Sequence, residues 1–240
     1  MTFSNGGTAL FQHCHPGKND VCSIVEQRDA KGHGIRYARD PSGLLLEMRG
    51  DSHTIAFTYD GQRRITRAED SLHNWAHYTY DTGGRLWRVT TSGGTVRTYT
   101  YTSRAEMRTI DEPGWQITNE YDDNGRVIRQ VTRYPDLDEA HTIQFAYTVR
   151  NGAVVQTDTT EYDGSHTRTT YNLHHYRTAE IIGLDGPQPV TLSFDRDDVT
   201  NVVRSVSVQC AGQEKRVDIT TGRDGPEPDG LEIARRACGG

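Results

Sequence analysis

The residues of this chain that could do chemistry are scattered, and their spacing limits what each can do. His13, Cys14, His15 and Cys22 are ligand types for zinc. Structural zinc takes four ligands in a tetrahedron, usually from regularly spaced pairs, and the Cys14/Cys22 spacing is not that of a zinc knuckle. They read as ordinary terminal residues. His174 and His175 are adjacent in what reads as a strand, where neighbouring side chains leave on opposite faces, so the imidazoles diverge. His73 and His77 lie in a strand-rich context that does not join them in one site. Asp195, Asp197 and Asp198 offer oxygens, but a calcium loop also needs a bending glycine and a late bidentate carboxylate. Neither is present, and a solvated turn is expected. No nucleophile elbow, P-loop or dinucleotide fingerprint occurs. Two carboxylates suffice for a glycosidase, but nothing selects a pair. The expectation is no enzyme: no catalytic residue, no metal and no cofactor.

What the sequence does contain is a repeat. Tyr37, Tyr59, Tyr80, Tyr101, Tyr121, Tyr147 and Tyr171, with Phe194 in the eighth place, recur about every twenty-one residues. A fixed period of this size marks one supersecondary unit that buries its face on its neighbours. The two clearest copies read YDTGGRLWRVT from Tyr80 and YDDNGRVIRQVT from Tyr121. Tyr-Asp is followed by a turn, then Gly-Arg-apolar, with Ile65, Leu86, Met107 and Val127 at the apolar place. The Tyr59 copy, YDGQRRITRAED, reads as shortened at its turn. Second turns fall at Gly50-Asp51, Gly93-Gly94, Pro113-Gly114, Asp163-Gly164 and Asp185-Gly186. Each unit is therefore strand, turn, strand, turn. Polarity alternates before the tyrosines, as in Ile55 and Phe57, Ala76 and Tyr78, Ile143 and Phe145, Val190 and Leu192. This gives strands one buried and one wet face. The expected role of the tyrosines is structural, as half-buried rings whose hydroxyls reach water or a neighbouring strand.

The fold class expected is all-β, an array of antiparallel hairpins forming a long curved sheet. About eight units span residues 34–210, behind an irregular N-terminal cap at 1–33 and before a linker-like tail at 211–240. The segment 134–140 (YPDLDEA) reads as an inserted exposed loop. The chain has 240 residues, only 33% of them hydrophobic, with mean hydropathy -0.76. A compact globule would be more apolar, so a thin sheet or a wet-lumened shell fits better. A net charge of -6 argues against nucleic acid as partner. No apolar run exceeds the three residues of Leu44–Leu46, too few to span a membrane. The N-terminus lacks a signal-peptide pattern, so export, if it occurs, would fall to a dedicated secretion system, before which the chain is cytoplasmic, or to an N-terminal part outside this sequence; the location itself stays open. Cys14, Cys22, Cys210 and Cys238 sit outside the central repeats. Their connectivity is open, and reduced thiols are the default without a signal peptide.

The motif residues Tyr59, Asp60, Tyr80, Asp81, Gly84, Arg85, Tyr121, Asp122, Gly125 and Arg126 resemble the YD repeats of the rearrangement-hotspot (Rhs) family. That family takes in bacterial Rhs toxins, wall-associated polymorphic toxins, the C component of insecticidal toxin complexes and the teneurins. The resemblance implies an antiparallel sheet wound spirally into a hollow shell, commonly around a C-terminal toxic domain, and in some members an extracellular recognition scaffold. Eight repeats are fewer than such shells generally use. The Asp-Pro-x-x-Gly region of the family's plug is not recognisable near the C-terminus. The stretch 37–43 (YARDPSG) is a distant echo at the wrong end and reads as a first repeat.

Taken with the repeats, the resemblance implies a non-enzymatic scaffold, part of a shell that encapsulates or presents a toxin cargo. Its expected partners are the cargo, further shell segments and, through sheet edges, itself. The alternative is an adhesive module binding a glycan or receptor; a β-scaffold enzyme is the third reading. Arg85 and Arg126 are expected to fasten neighbouring strands through carboxylates such as the aspartate of each Tyr-Asp pair.

Overall fold

The computed structural model describes residues 1–2, 6–12, 23–197, 199–210 and 213–218, together with Ile233 and Cys238. Nineteen strands belong to one antiparallel sheet. By contact density the chain divides into two units, residues 1–102 with 109–113, and residues 103–108 with 114–240.

The first unit holds β1 (Thr8–Gln12), β2 (Ser23–Arg28), β3 (Gly34–Arg39), β4 (Leu45–Arg49), β5 (Thr54–Tyr59), β6 (Ile65–Asp70), β7 (Trp75–Tyr80), β8 (Leu86–Thr91) and β9 (Val96–Tyr101). Strand β10 (Met107–Glu112) is shared, its last four residues lying in this unit. Each strand pairs with its predecessor in the chain, so the sheet is a meander of short hairpins. The stretch expected to be an irregular cap contains β1 and β2, which pair with each other and carry the sheet back before the first repeat.

The second unit continues with β11 (Trp115–Tyr121), β12 (Val127–Tyr134), β13 (Glu139–Arg150), β14 (Ala153–Thr160), β15 (His166–Tyr171), β16 (Arg177–Ile182), β17 (Val190–Arg196), β18 (Val203–Cys210) and β19 (Gln213–Asp218), again pairing in sequence. The segment 134–140 lengthens the β12–β13 hairpin and turns through one 3-10 turn, Pro135–Leu137. Here alone the described residues build a compact core: Leu192, Phe194, Val203, Val206 and Val208, with Ile233 packed against them. Cys210, at the end of β18, is joined to Cys238 in a disulfide, with Cα atoms 6.0 Å apart. The reduced state expected from the sequence does not hold for this pair, because the fold brings the two within bridging reach. Cys14 and Cys22 lie outside the described residues.

The turns explain the motif. In YDTGGR the Asp81 N–H donates to the Arg85 carbonyl and the Gly84 N–H to the Asp81 carbonyl. Gly84 has φ +81°. This is a three-residue hairpin loop with a left-handed last residue, where glycine is unstrained. The turn at Asp60 has the same length and the same two bonds, so the Tyr59 copy is not shortened: Arg63 simply occupies the glycine position, at φ +64°. Ala105 and His175 occupy it in two further copies, at φ +66° and +64°. His174 and His175 thus sit in a turn rather than a strand, because Asn172 plays the aspartate's part there. Register also moves two repeat assignments. In the first hairpin Arg39, not Tyr37, faces Leu45 as Tyr59 faces Ile65; in the last, Arg196 rather than Phe194 holds that place.

Left-handed backbone costs a non-glycine residue about 1–2 kcal/mol, offset partly by the unfolded-state entropy of glycine. Ala105→Gly is therefore expected to stabilise the protein by about 1 kcal/mol in urea unfolding. A loss of stability would contradict the left-handed turn.

Candidate functional site

The recurring site is a fork between hairpins. The ladder joining β8 to β9 stops at Arg88↔Thr98, three residues before Tyr101. The same gap precedes Tyr59, Tyr80 and Tyr147, where the ladders stop at Glu47↔Ala56, Arg67↔His77 and Arg129↔Gln144. The cause is a register shift within each hairpin. Thr79 faces Arg88 but Tyr80 faces Leu86, so Trp87 is an extra residue that bends the strand away. Leu46, Thr66, Ile128 and Thr178 are skipped in the same way. Bending leaves the carbonyl beside each extra residue outside the ladder, and an unmet buried carbonyl is costly.

The repeat tyrosine meets that need. Tyr59 donates its hydroxyl to the Leu45 carbonyl at 2.6 Å, Tyr80 to Ile65 at 2.7 Å, and Tyr101 to Leu86 at 2.6 Å. Tyr121 donates to Met107 and Tyr147 to Val127, each at 2.6 Å. The acceptors Ile65, Leu86, Met107 and Val127 are the apolar residues recurring in the sequence. Filling the fork takes each ring partly out of water, and desolvation raises the phenol pKa of Tyr80, Tyr101 and Tyr147.

Before three of the five acceptors stands an arginine that covers the ring. Arg64 lies over Tyr80 at 4.3 Å, Arg85 over Tyr101 at 4.8 Å, and Arg126 over Tyr147 at 5.1 Å. Its own turn holds it there. Asp81 Oδ2 accepts from Arg85 Nε at 2.7 Å and ion-pairs with its second terminal nitrogen, and Asp81 Oδ1 accepts from the Arg85 N–H. Asp60 with Arg64 and Asp122 with Arg126 repeat this. Such exposed pairs contribute little energy by themselves; their effect is to aim the guanidinium. The aspartate closes its own hairpin, and the link across hairpins runs from arginine to the next tyrosine.

Degenerate copies keep the link by other means. In the last fork the partners are exchanged: Arg196 takes the tyrosine slot, donates from Nε to the Arg177 carbonyl at 2.6 Å, and lies over Tyr176 at 5.4 Å. Glu106 stands in the arginine slot before Tyr121, and Arg104 instead reaches forward to the Asp122 and Asp123 carbonyls. Arg63 reaches back to Ser42 Oγ and carbonyl.

The residues weighed for chemistry are not brought together. His73 sits in a turn bonded to Glu69, and His77 lies in β7 beside Arg67. Asp197 is taken up by its own turn, accepting from the Val199 and Thr200 N–H groups and from Arg204; these bonds, the Thr200 N–H largest, hold its carboxyl far below the usual range. Asp198, His13, Cys14, His15 and Cys22 lie outside the described residues. Among the described residues no group of His, Cys, Asp or Glu could hold a metal ion, and no helix is long and apolar enough to cross a membrane.

A meander of Tyr-Asp hairpins locked by arginine and tyrosine defines a YD-repeat sheet. Residues 25–183 match the Teneurin YD-shell family, and the chain belongs to that family. Solved structures with the same fold include TcdB2-TccC3-TEV, at TM-score 0.58 and 15% identity over 85% of this chain, and TcdB2-TccC3-Cdc42, at 0.57 and 13% over 90%. A Photorhabdus luminescens Tc holotoxin pore matches at 0.56 and 13% over 92%. The chain spans only 13–15% of the length of those chains. No curated protein matches it.

Two outcomes are expected. Tyr101→Phe removes one hydrogen bond and leaves the Leu86 carbonyl unmet, so urea unfolding should show a loss of about 1 kcal/mol; no loss would mean water serves the carbonyl equally well. The second concerns pH. Backbone and side-chain hydrogen bonds from Arg64 and Arg126 hold Asp60 and Asp122 below their ordinary value of 3.8; for Asp81 the side-chain bond from Arg85 is the larger cause. A carboxylate depressed on folding stabilises the fold above its unfolded pKa, and that stability is lost as pH falls through the folded value. Melting temperature should therefore drop below pH 3.8, and changing all three aspartates to Asn should lower it at neutral pH while flattening the acid limb. An unchanged acid limb would contradict this assignment.

Proposed function

We propose that this chain is a non-enzymatic wall segment of a shell that encloses or presents a toxin cargo. One observation carries the reading. From β4 to β9 no residue is fully buried, yet the strands stay in register through the fork at each hairpin. A sheet held by links within its own plane can stand one layer thick, as a wall needs, without a second layer to supply a core. Family membership and the likeness to Tc toxin components support the same reading. In it Tyr59, Asp60, Tyr80, Asp81, Gly84, Arg85, Tyr121, Asp122, Gly125 and Arg126 serve the wall rather than catalysis, and residues 34–210 form the repeat domain.

The test is protease protection. The tagged chain, purified under native conditions from cells that naturally make it, should bring down a second polypeptide that resists protease. Mild denaturant that opens the assembly should then render that polypeptide sensitive. Co-purifying polypeptides that are digested as fast with the chain as without it would rule out enclosure.

A further inference from the structure

One fork departs from the pattern. The β2–β3 ladder stops at Glu26↔Arg36, so the tyrosine slot, three residues later, falls on Arg39. Beyond that point the strands part around a cleft of about 300 Å³ lined by Ser23, Val25, Tyr37, Arg39, Asp40, Pro41 and Gly43. Tyr37 and Val25 give it apolar walls. Arg39 donates from one terminal nitrogen to the Gly43 carbonyl at 3.2 Å, while its Nε, like those of Arg88 and Arg177, is cut off from water with no acceptor among the described residues. The unmet Nε therefore does not by itself set this fork apart; the cleft beside Arg39 does.

The other forks indicate what is missing. Wherever the slot holds tyrosine, a phenol ring fills the gap. Where it holds Arg196, the guanidinium has both a carbonyl on Nε and the Tyr176 ring beneath it. Arg39 has neither.

We infer that the β2–β3 fork is a socket for a phenolic side chain, the tyrosine of a partner polypeptide, which lies against the Arg39 guanidinium. Backbone groups of β2 that face β3 beyond the ladder offer the hydroxyl an acceptor, as the Leu86 carbonyl does for Tyr101. A cation over a ring and one phenol hydrogen bond set the specificity: aromatic over aliphatic, and hydroxylated over plain. The inference stands whether or not the wall encloses a toxin.

Titrating p-cresol into the 15N-labelled full chain tests it. Saturable millimolar shifts should centre on residues 23–25 and 37–43, with toluene about five-fold weaker, the worth of one hydrogen bond. Cyclohexanemethanol should not bind there. Arg39→Tyr fills the socket from within and should abolish p-cresol binding while raising the melting temperature. Arg39→Met keeps the cavity but removes the cation, and should weaken binding several-fold. Shifts that are absent up to the solubility limit, that scatter over the surface, or that survive Arg39→Tyr in a folded protein would overturn the inference. A tyrosine amide peptide that binds no better than its alanine counterpart would overturn the assignment of a polypeptide partner.

Discussion

Everything in this sheet follows from a shortage of apolar surface to bury. Most strand residues are half-exposed, and full burial is confined to a few positions, chiefly in β17 and β18. Hydrophobic burial at about 25 cal/mol per Å² cannot hold such strands in register over most of their length. The substitute is the hydrogen bond from the hydroxyls of Tyr59, Tyr80, Tyr101, Tyr121 and Tyr147 to a carbonyl that the preceding hairpin's extra residue has freed. The bend makes the carbonyl available, the ring fills the gap the bend opens, and the arginine of the preceding turn covers the ring. Remove the bend and the tyrosine has nothing to bind; remove the tyrosine and the bend leaves a polar group unmet.

The link is local and directional, which suits repetition. In its complete form, at Arg64/Tyr80, Arg85/Tyr101 and Arg126/Tyr147, a hairpin offers an arginine and a carbonyl on one side and accepts a tyrosine's hydroxyl from the next. Sequence can then drift as long as the exchange survives, and the drift seen here is of that kind. Arg196 and Tyr176 trade places, and Arg63 and Arg104 restore contacts between adjacent turns where the motif is imperfect. Among the described residues an apolar core takes over only in the last hairpins, with Leu192 and Val206 fully buried and the Cys210–Cys238 bridge fastening Cys238 to the end of β18.

The hairpin array was legible because its signals are local. Period-two polarity, turn residues and the tyrosine spacing each mark a strand or a loop within a few residues. The direction of the arginine link was not legible. Sequence places Asp81 and Arg85 four apart without saying that they close one turn, leaving the guanidinium for Tyr101 in the next hairpin. The terminal repeats were misplaced for a related reason: Tyr37 and Phe194 carry the aromatic signal, but register assigns the slot to Arg39 and Arg196. Arg196 can replace the tyrosine because it brings a flat group and a donor to the Arg177 carbonyl, whereas Arg39 holds the slot and bonds the Gly43 carbonyl of its own turn instead. A pattern keyed to aromatic residues does not register that equivalence. The disulfide was equally hidden, since chain separation alone says nothing of the distance between Cys210 and Cys238.

The central claim is that cohesion between hairpins runs through arginine and tyrosine rather than through a core. A double-mutant cycle on Arg85 and Tyr101, using Arg85→Met and Tyr101→Leu in urea unfolding, measures it most directly. The account predicts a coupling energy of about 1 kcal/mol between the two positions. Losses that simply add, to within about 0.3 kcal/mol, would contradict it.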